Sequence, residues 1–195
     1  MYNPFQVTKY DEKYRELLGE IEREFPRFQI IPKDEAPSQK LIHLSLWLLT
    51  FGAMNSYLSG YHTTIGQKVY VAPSWKTLPP ESQYQVLRHE LVHIRQFRKY
   101  TFFGMAFLYL LVPFPFGLSF FRAKFEKEGY EESIRAAAEI HGIEYVASRS
   151  FRDNVIQQFT SSAYGWMWPF PKRLSRWYDC ILKELEESAH TNSRH

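Results

Sequence analysis

His89-Glu90-Leu91-Val92-His93 is the stretch that most restricts how this chain can fold. Two imidazoles four residues apart converge on one point only if the backbone is helical, because a helix stacks residues i and i+4 on the same face. The flanking residues agree. Pro79 and Pro80, with Glu81 close behind, open a predicted helix that runs to about Lys99. At the helical angle of about 100° per residue, Tyr84, Leu87, Leu91 and Ile94 form one apolar stripe, and His89 and His93 share the neighbouring stripe with Val86 and Phe97. The two histidines therefore face a semi-buried wall rather than open solvent.

The pattern H-E-x-x-H has a chemical reason. Zinc accepts imidazole nitrogen and carboxylate oxygen at about 2 Å in a tetrahedral shell, and a hydrolytic site keeps one position for water. His89 and His93 supply two ligands, and Glu90 is placed to handle the proton of that water. A third histidine six residues on does not exist here: Gln96 and Lys99 occupy the positions where H-E-x-x-H-x-x-G-x-x-H requires Gly and His. A carboxylate from another helix is the alternative. The predicted helix from Phe125 offers Glu126, Glu128, Glu131, Glu132, Glu139 and Glu144. Around its axis Lys127, Glu128, Glu131, Glu132, Arg135 and Glu139 gather on a solvated side, with Glu131 and Arg135 spaced for an i,i+4 ion pair. Glu126 falls opposite them, with Tyr130, Ser133, Ala137 and His141, and Glu144 lies about 27 Å further along. Glu126 is the preferred third ligand, with Glu128 and Glu131 as alternatives.

His89, Glu90, His93 and a later helix opening Phe-Glu-Lys-Glu-Gly-Tyr from Phe125 resemble the zincin metallopeptidases of gluzincin type, over about Gln67 to Ala138. The resemblance implies a zincin-like α+β fold, zinc on His89, His93 and Glu126, and Glu90 as general base in peptide hydrolysis. It also implies that the strand before the motif helix, Gln67-Lys68-Val69-Tyr70-Val71-Ala72, borders the cleft and pairs with an extended peptide. Several gluzincins carry Asp four residues after the ligand Glu, and Tyr130 stands there in this chain. Negative charge developing on the former carbonyl oxygen calls for a donor near the metal, and Tyr164, in a loop of Ser, Gly, Pro and bulky rings, is the candidate.

A chain of 195 residues, 45% hydrophobic and 17% aromatic, is long enough for one proper core, and the expectation is a single domain over 1–187 with a polar tail from 188 to 195. Helical spacing predicts an amphipathic helix over 11–25, ended by Pro26, and a second, apolar nearly all round, from about Ser38. Between Asn55 and Ala72 β-branched and aromatic residues predict strands, with Gly66 at the junction. Helices follow at Phe125–Ser148, Phe151–Phe159 and Pro171–Glu187. The expected architecture is α+β, a small and mostly antiparallel sheet packed against several helices.

A net charge of +3, from 24 basic and 21 acidic residues spread evenly, lacks the basic stripe of a nucleic-acid binder. The single cysteine, Cys180, excludes an intrachain disulfide. The first residues turn charged without an apolar core of signal-peptide length, so a cytoplasmic protein is expected. Residues 101–121 carry no charge and have the length of a membrane span. A single crossing would set Glu126 about 30 Å from His93, however, and one zinc cannot then be held by both. Pro113 and Pro115 also break a continuous helix. The run is expected to form a buried helix and turn, the alternative being contact with a membrane surface or a partner. Peptide or protein substrates are the expected partners; a zincin-type scaffold used only for binding and a metallohydrolase of non-peptide substrates are the rival functions.

Overall fold

The computed structural model describes residues 8–36, 62–108, 120–161 and 167–192. The chain divides into two compact units, Met1–Phe102 and Phe103–His195. The predicted helix from Ser38, with His43, and the loop residues Tyr164 and Trp166 lie outside the described residues.

The first unit begins with helix α1, Lys9–Glu24, closed at its N-terminus by a reciprocal cap: the Asp11 amide donates to Thr8 Oγ1 at 3.2 Å and the Thr8 amide to Asp11 Oδ2 at 2.6 Å. Leu17 and Ile21, at helical spacing, are buried, and Phe25 follows them inward where the helix ends. Strand β1, Gln29–Pro32, was not anticipated. Its four residues, the last of them Pro32, carry too short a pattern to show alternation, and Pro32 is tolerated because among the described residues β1 pairs only with β3. Lys33–Glu35 makes a 3-10 turn.

Strands β2, Thr63–Ile65, and β3, Lys68–Val71, form the expected hairpin, with Gly66 at φ +63° supplying the left-handed turn residue. The sheet order is β1-β3-β2: β1 runs parallel to β3, with Pro32 opposite Val71, and β2 antiparallel, with Thr63 opposite Tyr70. The sheet is thus mixed, not mostly antiparallel, because the unanticipated β1 joins it in parallel. The central position of β3 also corrects the expected substrate pairing. β1 and β2 both hydrogen-bond to Lys68–Val71, so that strand has no open edge for a peptide.

A 3-10 turn at Pro73–Thr77 leads into helix α2, Pro80–Ala106. Its apolar stripe is as the spacing predicts, with Tyr84, Leu87, Leu91 and Ile94 all buried. Glu24 of α1 receives Arg95 and Arg98 of α2, each at 2.7 Å. Thr101, at φ 61° and ψ 167°, interrupts the helical backbone close to the predicted end at Lys99.

The second unit contains α3 (Phe120–His141), α4 (Ile143–Ala147), α5 (Arg149–Thr160) and α6 (Pro171–Asn192). The single helix expected over 125–148 starts earlier and stops at His141, where Gly142 takes φ +90°. Ile134, Val146, Phe159, Leu174 and Tyr178 make the centre of its core, and the Tyr178 hydroxyl donates to the Val146 carbonyl at 2.7 Å. Helix α6 extends through most of the residues read as a polar tail. Ser188 and Thr191 cap carbonyls four residues back, at 2.8 and 3.0 Å, which suits polar residues on an exposed helix.

Among the described residues no helix is long and apolar enough to cross a membrane. Of the apolar run, Met105 is buried, but Phe102, Phe103 and Phe107 are 52%, 82% and 56% exposed and Phe120 is 53% exposed. These rings depart from the expectation of a buried helix and turn.

Candidate metal centre

Helix α2 brings His89 and His93 together as the i,i+4 spacing requires. Their Nε2 atoms lie 3.0 Å apart, with His93 buried and His89 half-buried. Two nitrogens on a tetrahedral zinc at about 2 Å each stand about 3.3 Å apart, so the pair is close to ligand spacing. The other ring nitrogen of His93 explains which atom faces His89. His93 Nδ1 lies 2.9 Å from Gln96 Oε1, and an amide oxygen only accepts, so Nδ1 carries the proton and Nε2 keeps its lone pair. His89 Nε2–H therefore donates to that lone pair, and a metal ion taking both nitrogens would displace this proton. The donor chemistry, imidazole with a second partner fixing the tautomer, fits zinc.

Glu90 points into the first unit's interior and is 5% exposed. Thr64, on β2, donates its hydroxyl to Glu90 Oε2 at 2.6 Å. Lys33, fully buried at the start of the turn after β1, is held down to about 8 by burial, against the Glu90 carboxylate, which raises it. His62 completes the group. Burial lowers its proton affinity, Glu90 raises it, and Lys33 and His89 lower it further. Its Nδ1 accepts the Ala72 amide at 3.4 Å, and its ring meets Trp75 edge-on at 5.5 Å.

Four of these residues, Gln96, Thr64, Lys33 and His62, stand outside the sequence pattern. Gln96 sits three residues after His93, the spacing of helix neighbours, and could have been recognised as its partner rather than as a missing glycine. Thr64 and Lys33 reach Glu90 only through the sheet, which no local pattern encodes. His62 gave no sign of its surroundings.

In the second unit Glu126 lies in the second turn of α3, because the helix begins at Phe120, and it is buried beside Phe125. The alternatives are disposed differently. Glu128 is exposed, and Glu131 accepts from Arg135 at 2.9 Å, the predicted ion pair, with Glu184 as the second acceptor of the same guanidinium. Tyr130, four residues after Glu126, packs tilted against Phe159, with ring centroids 5.2 Å apart. His141 is exposed and packs on Tyr145.

No protein-family model matches this chain, and comparison with curated proteins and with solved structures finds no match to it.

Proposed function

We propose that the protein is a zinc-dependent peptidase in which His89, His93 and Glu126 hold one zinc ion and Glu90 is the general base. The observation that carries this reading is the pair of facing Nε2 atoms on the H-E-x-x-H helix, with Gln96 fixing the tautomer of His93. Glu126 enters as the buried carboxylate among Glu126, Glu128 and Glu131. Zinc bound by such a set would acidify a water toward neutral pH and polarise the carbonyl to be cut.

The protein's own residues supply the rest. Thr64 engages Glu90 Oε2, which leaves Oε1 to take the proton of the attacking water and return it to the leaving amine. Because β3 is enclosed, an extended substrate that adds a strand has to use an outer edge of the sheet. β2, which carries Thr64, is the edge strand tied to Glu90. Tyr164 remains the candidate donor to the developing oxyanion.

Metal analysis of wild type beside His89→Ala, His93→Ala and Glu126→Ala tests the ligand set, with zinc expected at one per chain in the first and lost in the variants. Glu90→Gln should keep the metal and lose chelator-sensitive peptide cleavage. Stoichiometric zinc without cleavage of any peptide library would reject the peptidase. The rival reading, a scaffold that binds an apolar surface, draws on Phe103, Phe107 and Phe120, and co-sedimentation with liposomes tests it.

A further inference from the structure

Lys33 is the one lysine among the described residues that is fully buried. An ammonium taken out of water costs several kcal/mol unless an opposite charge or good acceptors offset it. The carboxylate that acts on it is Glu90, which is itself buried and has the same need. A Thr64 hydroxyl at 2.6 Å is a neutral donor and offsets only part of a full negative charge.

The sheet explains how residues so distant in sequence meet. β1 runs parallel to β3 and ends with Pro32 opposite Val71, whereas β2 runs the other way and begins with Thr63 opposite Tyr70. Lys33, Ala72 and His62, which respectively follow β1, follow β3 and precede β2, therefore leave the sheet at the same end. Helix α2 brings Glu90 and His89 to that end, since Glu90, Lys33 and His89 all act on His62 and Thr64 bonds Glu90. The titratable groups acting on Lys33 and His62 thus come from α2 and, for His62, also from the turn after β1.

We infer that Lys33 is a positioning residue for Glu90: the buried counter-charge that, with Thr64, fixes the carboxylate in place. The inference deepens the proposed hydrolase, since it rests on Glu90 being the base. Lys33 touches no reacting atom in this scheme. It acts through Glu90, so its loss should lower turnover and leave substrate binding and zinc content intact.

The deciding measurement does not require activity. In protein labelled at the lysine 13Cε, the Lys33 signal is assigned by its absence from Lys33→Met, or from Lys33→Arg if the Met variant does not fold. Its titration midpoint in the metal-free protein is then compared between wild type and Glu90→Gln. A fall of about one pH unit or more in Glu90→Gln is expected, because the carboxylate that raises it is gone. An unchanged midpoint overturns the pairing whether or not the protein cleaves peptides. In the zinc-loaded protein, Lys33→Met should lower kcat by about tenfold or more at unchanged KM, with recovery in Lys33→Arg. A rise in KM with unchanged kcat overturns the positioning role. A midpoint that shifts in a protein with no zinc and no hydrolysis upholds the pairing and overturns the hydrolase reading.

Discussion

The two units treat buried polarity in opposite ways. Among the described residues, Lys33, Thr64, Glu90, His93 and Gln96 are the buried polar or charged side chains of the first unit, whereas the second has Glu126 alone. Apart from Glu126, the charges named in the second unit lie outside, as in the Arg152–Asp179 pair at 2.8 Å and the Arg135 bridge to Glu131 and Glu184, and its core cluster is apolar apart from one bonded tyrosine, Tyr178. Burying a lysine, a glutamate and a histidine together opposes folding unless their mutual interactions compensate. On the proposed function, the unit that accepts that cost is organised around chemistry and the one that avoids it around packing. The difference teaches where loss of function and loss of stability should separate.

The largest effect is expected from Glu90→Gln, an isosteric change that should lower peptide hydrolysis by about 10²–10⁴-fold and leave zinc content unchanged. If activity survives, the buried polarity of the first unit has some other purpose and the contrast loses its functional meaning. Phe159→Ala probes the other side. Phe159 is fully buried in the second unit's core, against Tyr130 and Trp177, so its truncation should cost about 3–5 kcal/mol in urea-induced unfolding. A loss much below that range would mean that the second unit is loosely packed, and packing would no longer distinguish it.

Stability against pH should then show opposite slopes for Lys33 of the first unit and Tyr178 of the second. Lys33 titrates at about 8 in the fold against an ordinary 10.5, so between those values the unfolded chain binds more protons and stability rises with pH, by about 3 kcal/mol in all. Tyr178 runs the other way. Burial pushes its hydroxyl up to about 12, so stability is complete below 10 and is lost as pH climbs from 10 toward 12. Unfolding midpoints measured across pH 7–12 should rise and then fall. The rise should be smaller in Lys33→Met and the fall smaller in Tyr178→Phe, since burial also lowers Lys127 and raises Tyr14, and a rise undiminished in Lys33→Met assigns it to another group.

What the sequence disclosed follows the range of the interactions involved. The stripe of Tyr84, Leu87, Leu91 and Ile94, the His89–His93 spacing, the Gly66 hairpin and the Glu131–Arg135 pair are all local, set by helix or strand period, and each could be read off the residues. The inward phase of Glu126 was legible for the same reason, although the start of its helix was not, because nothing between Phe120 and Phe125 marks a cap. β1 was hidden by its brevity. With it went the parallel pairing, the enclosure of β3 and the placement of Lys33, since all depend on contacts across 35 residues or more of chain. Thr64 and Glu90 meet in the same nonlocal way.

The smallest effect expected is also the finest test of the first unit, because it changes the partner of a proposed ligand and not the ligand itself. Gln96 is buried, and its side-chain oxygen sets the tautomer of His93 across 2.9 Å. Gln96→Ala removes that acceptor, frees the ring to turn and should weaken zinc binding by about 10–100-fold, read by competition with a chromophoric chelator. Gln96→Glu keeps an acceptor in place and makes it more basic, so affinity should hold or rise. If the two variants lose affinity equally, the role of Gln96 is to fill space, and the first unit's buried polar groups would need to be judged one at a time. If only Gln96→Ala loses it, the polarity buried beside α2 acts as a set, with each buried group there fixing the atom that its neighbour presents.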